Sequence, residues 1–229
     1  MRRWPRPTRS TAPSCSEVLW HSGRVQVWYA SYGSNLARDR FLCYLQGGRP
    51  PGATRTYPGA RDTTAPADDR SLTLPGEMFF AWESPTWGGG IAFYDATSPG
   101  TTLARAYLLS DQQFADVAAQ EMHRQPGQDL DLATVLARSR HDLGPGRYES
   151  LHLVGELEGH PVLTFTTPDP TGLQRNPPTP PYVTMIARGL ADTHGLGADE
   201  ITAYLAARPG AELGWDEASL RDVVSSALR

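Results

Sequence analysis

Cysteine is nearly absent. Cys15 and Cys43 are the only two in 229 residues, too few for the disulfide framework of a small secreted domain. One lies in an N-terminal stretch and the other in a helical pattern, which fits a reducing cytoplasm. No apolar run approaches the length that crosses a bilayer. No apolar segment follows Arg2, Arg3, Arg6 and Arg9, so neither a membrane span nor a secretory signal is expected. An excess of positive charge is missing too. The formal net charge is -4, which speaks against a dedicated nucleic-acid binder.

Several chemical signatures are also missing. The histidines, His21, His123, His141, His152, His160 and His194, do not fall at metal-ligand spacing and read as surface or structural residues. No Gly-x-Ser-x-Gly elbow occurs, so Ser34 has no identifiable base. Gly88-Gly89-Gly90 lacks the lysine of a phosphate loop and precedes a strand, which suits a turn or a close backbone approach. Cys43, beside Leu42 and Leu45, reads as a buried inert thiol.

What is present is a hydrophobic fraction of 39%, with 20 prolines and 22 glycines. That composition suits one domain with a real core and many turns. Residues 1 to 24 read as a mobile tail, since their Pro- and Ser-containing stretch buries little apolar surface. Strands are predicted at Val25–Ser31, Glu77–Trp82, Ile91–Tyr94 and Leu103–Leu109, and a hairpin at Tyr148–Val154 and Pro161–Thr166 turns at Glu158-Gly159. Helices are predicted at Leu36–Gln46, from the Ser110-Asp111 cap to Met122, and over Asp131–Arg140, Tyr182–His194, Ala198–Ala207 and Trp215–Leu228. Gly52–Leu74 reads as a long loop. Strands mixed with short helices point to a twisted sheet or small barrel flanked by helices.

Two features carry chemistry. Tyr32-Gly33-Ser34-Asn35-Leu36 ends an apolar strand and opens a helical pattern, so its backbone N–H groups suit a carboxylate or an oxyanion. An ordinary turn capped by Asn35 fits the same residues. Glu121 lies four residues after Val117 and seven after Phe114, on the stripe that faces a core. A carboxylate buried there without a partner drifts toward neutrality and suits a general base. Pairing with Arg124 or exposure at the helix end is the alternative.

Three segments together resemble the γ-glutamylcyclotransferase-like family. They are Tyr32 to Leu36, then Trp87-Gly88-Gly89-Gly90-Ile91-Ala92, then Pro180 to Ile186 with Gly189 and His194-Gly195-Leu196. The resemblance covers most of residues 25 to 205. It implies an α+β fold, a small closed β-barrel flanked by helices, with 25–229 as a single domain. It implies that Tyr32, Gly33, Ser34, Asn35 and Leu36 bind substrate, that Glu121 is catalytic, and that Tyr148 and Tyr182 line the pocket. The implied reaction is intramolecular aminolysis of a γ-glutamyl amide, releasing 5-oxoproline and an amine with no metal or organic cofactor. The partner is a small molecule with a γ-glutamyl or related amino acid group. No nucleic acid or membrane partner is expected, and the chain is a monomer or homodimer. An insertion over 123–146 departs from the family pattern. A non-catalytic small-molecule-binding or accessory protein on this scaffold stays open, as does a different acyl-transfer enzyme acting on a modified amino acid.

Overall fold

Strand β1 (Gln26–Ser31) alternates its side chains between two cores. Trp28 and Ala30 point into one, Val27 and Tyr29 into the other. A strand buried on both faces reads as a continuous apolar run, which is why β1 is plain in the sequence. The computed structural model describes residues 25–50 and 55–229. The expected tail, with Cys15 and His21, lies outside the described residues.

Around β1 runs a six-stranded sheet in the order β2-β5-β1-β8-β7-β6. The strands are β2 (Asp68–Pro75), β5 (Thr101–Ser110), β6 (Arg140–Asp142), β7 (Ser150–Leu157) and β8 (His160–Thr166). β1 is antiparallel to β5 and parallel to β8. A separate two-stranded ribbon pairs β3 (Glu77–Ala81) with β4 (Ile91–Asp95).

One face of the sheet carries helices α1 (Arg38–Gln46), α2 (Asp111–Glu121) and α3 (Ala133–Arg138), which bury Phe41, Leu45, Phe114, Val117 and Val135. The other face carries the β3–β4 ribbon with α4 (Pro180–His194), α5 (Ala198–Ala206) and α6 (Glu217–Ala227). The result is a mixed α+β architecture. Among the described residues no helix is long and apolar enough to cross a membrane.

The closed barrel expected from the resemblance is not formed by the strand ladders among the described residues. The large sheet ends at β2 and β6, and the ribbon is not laddered to it. A side chain bridges the two instead. Thr166 Oγ1 accepts from Tyr94 N–H at 2.9 Å and donates to Tyr94 O at 2.8 Å, so the edge of β4 meets a hydroxyl where a barrel would place a strand.

Two strands escaped the sequence pattern. β2 overlaps the end of the stretch read as a loop, and β6 overlaps the end of a predicted helix. Both are edge strands with exposed, charged residues, so neither shows apolar alternation. The Ser110 cap forms as expected. Its hydroxyl accepts from Gln113 N–H and the Gln113 side chain accepts from Ser110 N–H, both at 3.1 Å, a reciprocal box that closes the helix start.

Candidate active site

Two glycines bring the walls of the site together. Gly189 on α4 packs against the turn after β1, where a Cβ would lie 2.3 Å from Leu36 Cβ. At Gly90 a Cβ would lie 1.9 Å from Asn176 O, and Gly90 N–H donates to Pro177 O at 2.8 Å. The triglycine is thus a close backbone approach, and it sets Trp87 and the start of β4 over the end of β1.

The Tyr32–Leu36 segment is a tight turn. Ser34–Leu36 form one 3-10 turn, closed by Leu36 N–H to Gly33 O at 3.0 Å and Ala37 N–H to Ser34 O at 3.2 Å. Asn35 caps neither this turn nor α1 through its side chain. Its Nδ2 donates instead to Glu121 Oε1 at 2.8 Å, across 86 residues of chain. Asn35 Oδ1 is buried without a partner.

Glu121 is the last residue of α2 and is half-buried. This corrects the expectation of a buried, unpaired carboxylate. The helix ends at this residue, so its side chain reaches the cavity rather than the core, and Asn35 partners it. Arg124 pairs elsewhere, with Glu149 at 3.6 Å. The fully buried acid of α2 is Asp116, which accepts from Arg61 N–H at 2.8 Å, Arg61 Nε at 3.0 Å and Gly127 N–H at 3.0 Å. It ties two loops to the helix.

One cavity gathers Tyr32, Gly33, Ser34, Asn35, Glu121, Tyr148 and Tyr182. Leu36 is not on its wall, because that side chain packs in the core below α4. The three tyrosines are held by backbone. Tyr32 Oη donates to Phe165 O at 2.8 Å. Tyr148 Oη donates to Ala92 O at 2.9 Å, and Tyr182 Oη accepts from Ala92 N–H at 3.0 Å. The Tyr182 hydroxyl therefore keeps its own proton to give, and burial pushes its pKa up to about 12, so it stays a donor at neutral pH.

The sequence reading missed Arg40. Its side chain is buried beside the cavity, with 3% of the residue exposed. Nε donates to Ser34 Oγ at 2.7 Å, and Nη2 donates to Tyr57 Oη at 3.1 Å and Tyr44 Oη at 3.3 Å. The guanidinium carbon lies 5.0 Å from the Trp87 ring centroid. Nη1 is buried and has no partner. A signal existed: Arg40, Phe41, Tyr44 and Leu45 form one buried stripe of α1, with a cation in it.

His123, read as surface or structural, lines the cavity beside Arg55 and Arg147. Arg55 donates to His123 Nδ1 at 2.9 Å. Burial, then Arg147 and Arg55, bring the imidazole down to about 4. Cys43 is half-buried rather than buried, lies off the cavity wall, and has its thiol pushed up by burial. Among the described residues no group of three or more His, Cys, Asp or Glu side chains is placed to hold a metal ion.

No family model matches the chain. In sequence it is similar to Histone deacetylase 5 of Arabidopsis thaliana, 31% identical over 201 residues. That match takes in 80% of this chain, which spans only 30% of the length of that relative. In structure it is similar to a solved gamma-glutamyl cyclotransferase, with a TM-score of 0.49 and 18% identity, over 88% of this chain and 99% of the other. It is also similar to an uncharacterized protein from Homo sapiens, with a TM-score of 0.48 and 20% identity, over 87% and 98%.

Proposed function

We propose that the chain is a γ-glutamylcyclotransferase-like enzyme that converts a γ-glutamyl amide to 5-oxoproline and a free amine. One observation carries this reading. A carboxylate, an unpaired amide oxygen and an unpaired guanidinium nitrogen belong to side chains lining one cavity: Glu121, Asn35 Oδ1 and Arg40 Nη1. Buried polar atoms are normally satisfied, so the two orphans suit a ligand with the opposite groups. An α-amino acid head has both, an ammonium for Glu121 and Asn35 and a carboxylate for Arg40.

The reaction needs that ammonium to become a nucleophile. Glu121 takes one proton from it. The freed amine attacks the γ-carbonyl, forming the ring C–N bond. As the tetrahedral intermediate collapses, the attacking nitrogen loses a second proton and the exocyclic C–N bond breaks. The leaving nitrogen receives both protons, one of them returned by Glu121, and departs as an ammonium. Tyr182 Oη and the N–H groups of the Gly33–Asn35 turn suit the developing oxyanion, a contact worth about 3 kcal/mol per well-aimed donor. Clamping the head at Arg40 and Asn35 folds the chain for ring closure, and such orientation supplies on the order of 7 kcal/mol in favourable cases.

The deacetylase named in the sequence match is not carried over, because the chain spans 30% of that protein. The test is release of 5-oxoproline from a panel of γ-glutamyl amino acids and γ-glutamyl amines, followed by chromatography. Release from at least one member is expected. No release from any member overturns the reading.

A further inference from the structure

The cavity is more positive than an amino acid head requires. Three guanidinium groups, those of Arg40, Arg55 and Arg147, line it against the single carboxylate of Glu121, in a chain whose formal net charge is -4. The head is a zwitterion. Seated on Glu121 and Arg40, it leaves two cations over.

Those two come from other segments than Arg40, before Tyr57 and before β7, and Arg55 shares the Tyr57 ring with Arg40. Among the described residues neither Arg55 nor Arg147 is in an ion pair, whereas Arg38, Arg61, Arg70, Arg105, Arg124, Arg140 and Arg221 each are. Each is laid against an aromatic face. The Arg55 guanidinium carbon is 5.2 Å from the Tyr57 ring centroid, and that of Arg147 is 4.1 Å from the Trp82 ring centroid. Stacking orders the guanidinium plane while leaving N–H groups at its edge for a carboxylate, although Arg55 gives one of its own to His123. The nearest acid in sequence to Arg147 is Glu149. It is 6% exposed, accepts from Tyr148 N–H at 2.9 Å and faces Arg124, so it does not neutralise this pair. His123 between them donates no charge near neutral pH.

Resting on the function proposed above, we infer that the amine half of the substrate is a dicarboxylic amino acid whose two carboxylates are taken by Arg55 and Arg147. The substrate class is then an acidic γ-glutamyl dipeptide. The match is one carboxylate per fork, beyond the single carboxylate that any amino acid leaving group brings.

The test uses two dipeptides of nearly equal size, γ-glutamyl-glutamate and γ-glutamyl-glutamine. They differ by one carboxylate. In the full chain at low salt, kcat/KM for the acidic dipeptide is expected to exceed that for the neutral one by about tenfold, the scale of one charged hydrogen bond. The ratio falls toward one in the double variant Arg55→Gln, Arg147→Gln. It also shrinks with added salt, since exposed charges are screened. Equal kcat/KM for the two dipeptides overturns the inference, as does a preference that survives the double variant. Affinities of both dipeptides for Glu121→Gln, measured by calorimetry, separate this from the reaction itself. If neither dipeptide releases 5-oxoproline, the calorimetric ratio still decides: tighter binding of the acidic dipeptide upholds the specificity of the cavity's mouth, the part lined by Arg55, His123 and Arg147, and equal or absent binding overturns it.

Discussion

Arg40 and Arg105 are buried almost alike, with 3% and 5% exposed, yet they are completed differently. Arg105 on β5 reaches Asp69 beside it on β2 at 2.6 Å and Asp192 on α4 at 2.5 Å, and it also donates to Leu36 O at 3.4 Å. Its charge is answered from within the chain, and it ties α4 to the β2–β5 edge of the sheet. Arg40 meets only hydroxyls and aromatic faces, and one of its nitrogens is left over. A buried cation with acid partners is architecture. A buried cation with no acid in contact, beside a cavity, suits an anionic ligand.

The same division runs along α2. Asp116 accepts from three N–H groups on two loops and belongs to the frame. Glu121, five residues on, has one partner and a cavity beside it. The largest effect is therefore expected for Glu121→Gln. Turnover falls by roughly a thousandfold, the middle of the range for removing a general acid–base group, while Asn35 keeps an oxygen to donate to and the melting temperature hardly moves. Retained turnover in this variant would erase the distinction between the two acids.

Exchanging the arginines sharpens it further. Arg105→Met removes the centre of an ion network and leaves Asp69 with only the longer pair to Arg38, 3.5 Å away, at a cost of about 2 kcal/mol in urea unfolding. Its effect on KM should be small. Arg40→Lys keeps a charge but loses the fork. We expect KM to rise by about tenfold to a hundredfold with a smaller change in unfolding free energy. A ligand lacking the α-carboxylate should not sense the change. If both variants lose stability alike and neither shifts KM, Arg40 is as structural as Arg105.

Periodicity exposed the parts of the fold that are buried on a regular face. β1, β5, α2 and α4 all fall close to their predicted bounds, because two-sided burial or a capped amphipathic helix leaves a clear pattern. β2 and β6 left little, since β2 opens on the charged Asp68-Asp69-Arg70 and β6 is three residues long. The open sheet was hidden for another reason: Thr166 bridging Tyr94 is a contact between distant segments that no local pattern records. At the site, the Gly-Ser-Asn turn and Glu121 were legible as chemistry, and the structure lays them against each other. The cations were not. The rule that flagged Glu121, a charge on an apolar stripe, applies equally to Arg40, but Arg40 lies within a run of charged residues, Arg38-Asp39-Arg40, that reads as a solvated helix start. Arg55 and Arg147 sit in irregular segments, where sequence gives no direction for a side chain.

The smallest effect is also the most direct probe of the mouth. His123 is expected to titrate near 4, below the ordinary 6.5, because burial and then Arg147 and Arg55 disfavour its charged form. The unfolded chain then binds a proton there at a higher pH than the native chain does. This residue's contribution is thus present above about 6.5 and is lost as the pH falls toward 4. Its exposure keeps that loss small, so the observable is the imidazole resonance and not the melting curve. Arg147→Gln should move the midpoint upward by removing one positive neighbour, and so should a bound dicarboxylate that neutralises the pair. A midpoint that starts near 6.5, or ignores both changes, would mean that the mouth carries no concentrated positive field. Arg40 would then be the cavity's sole anion receptor.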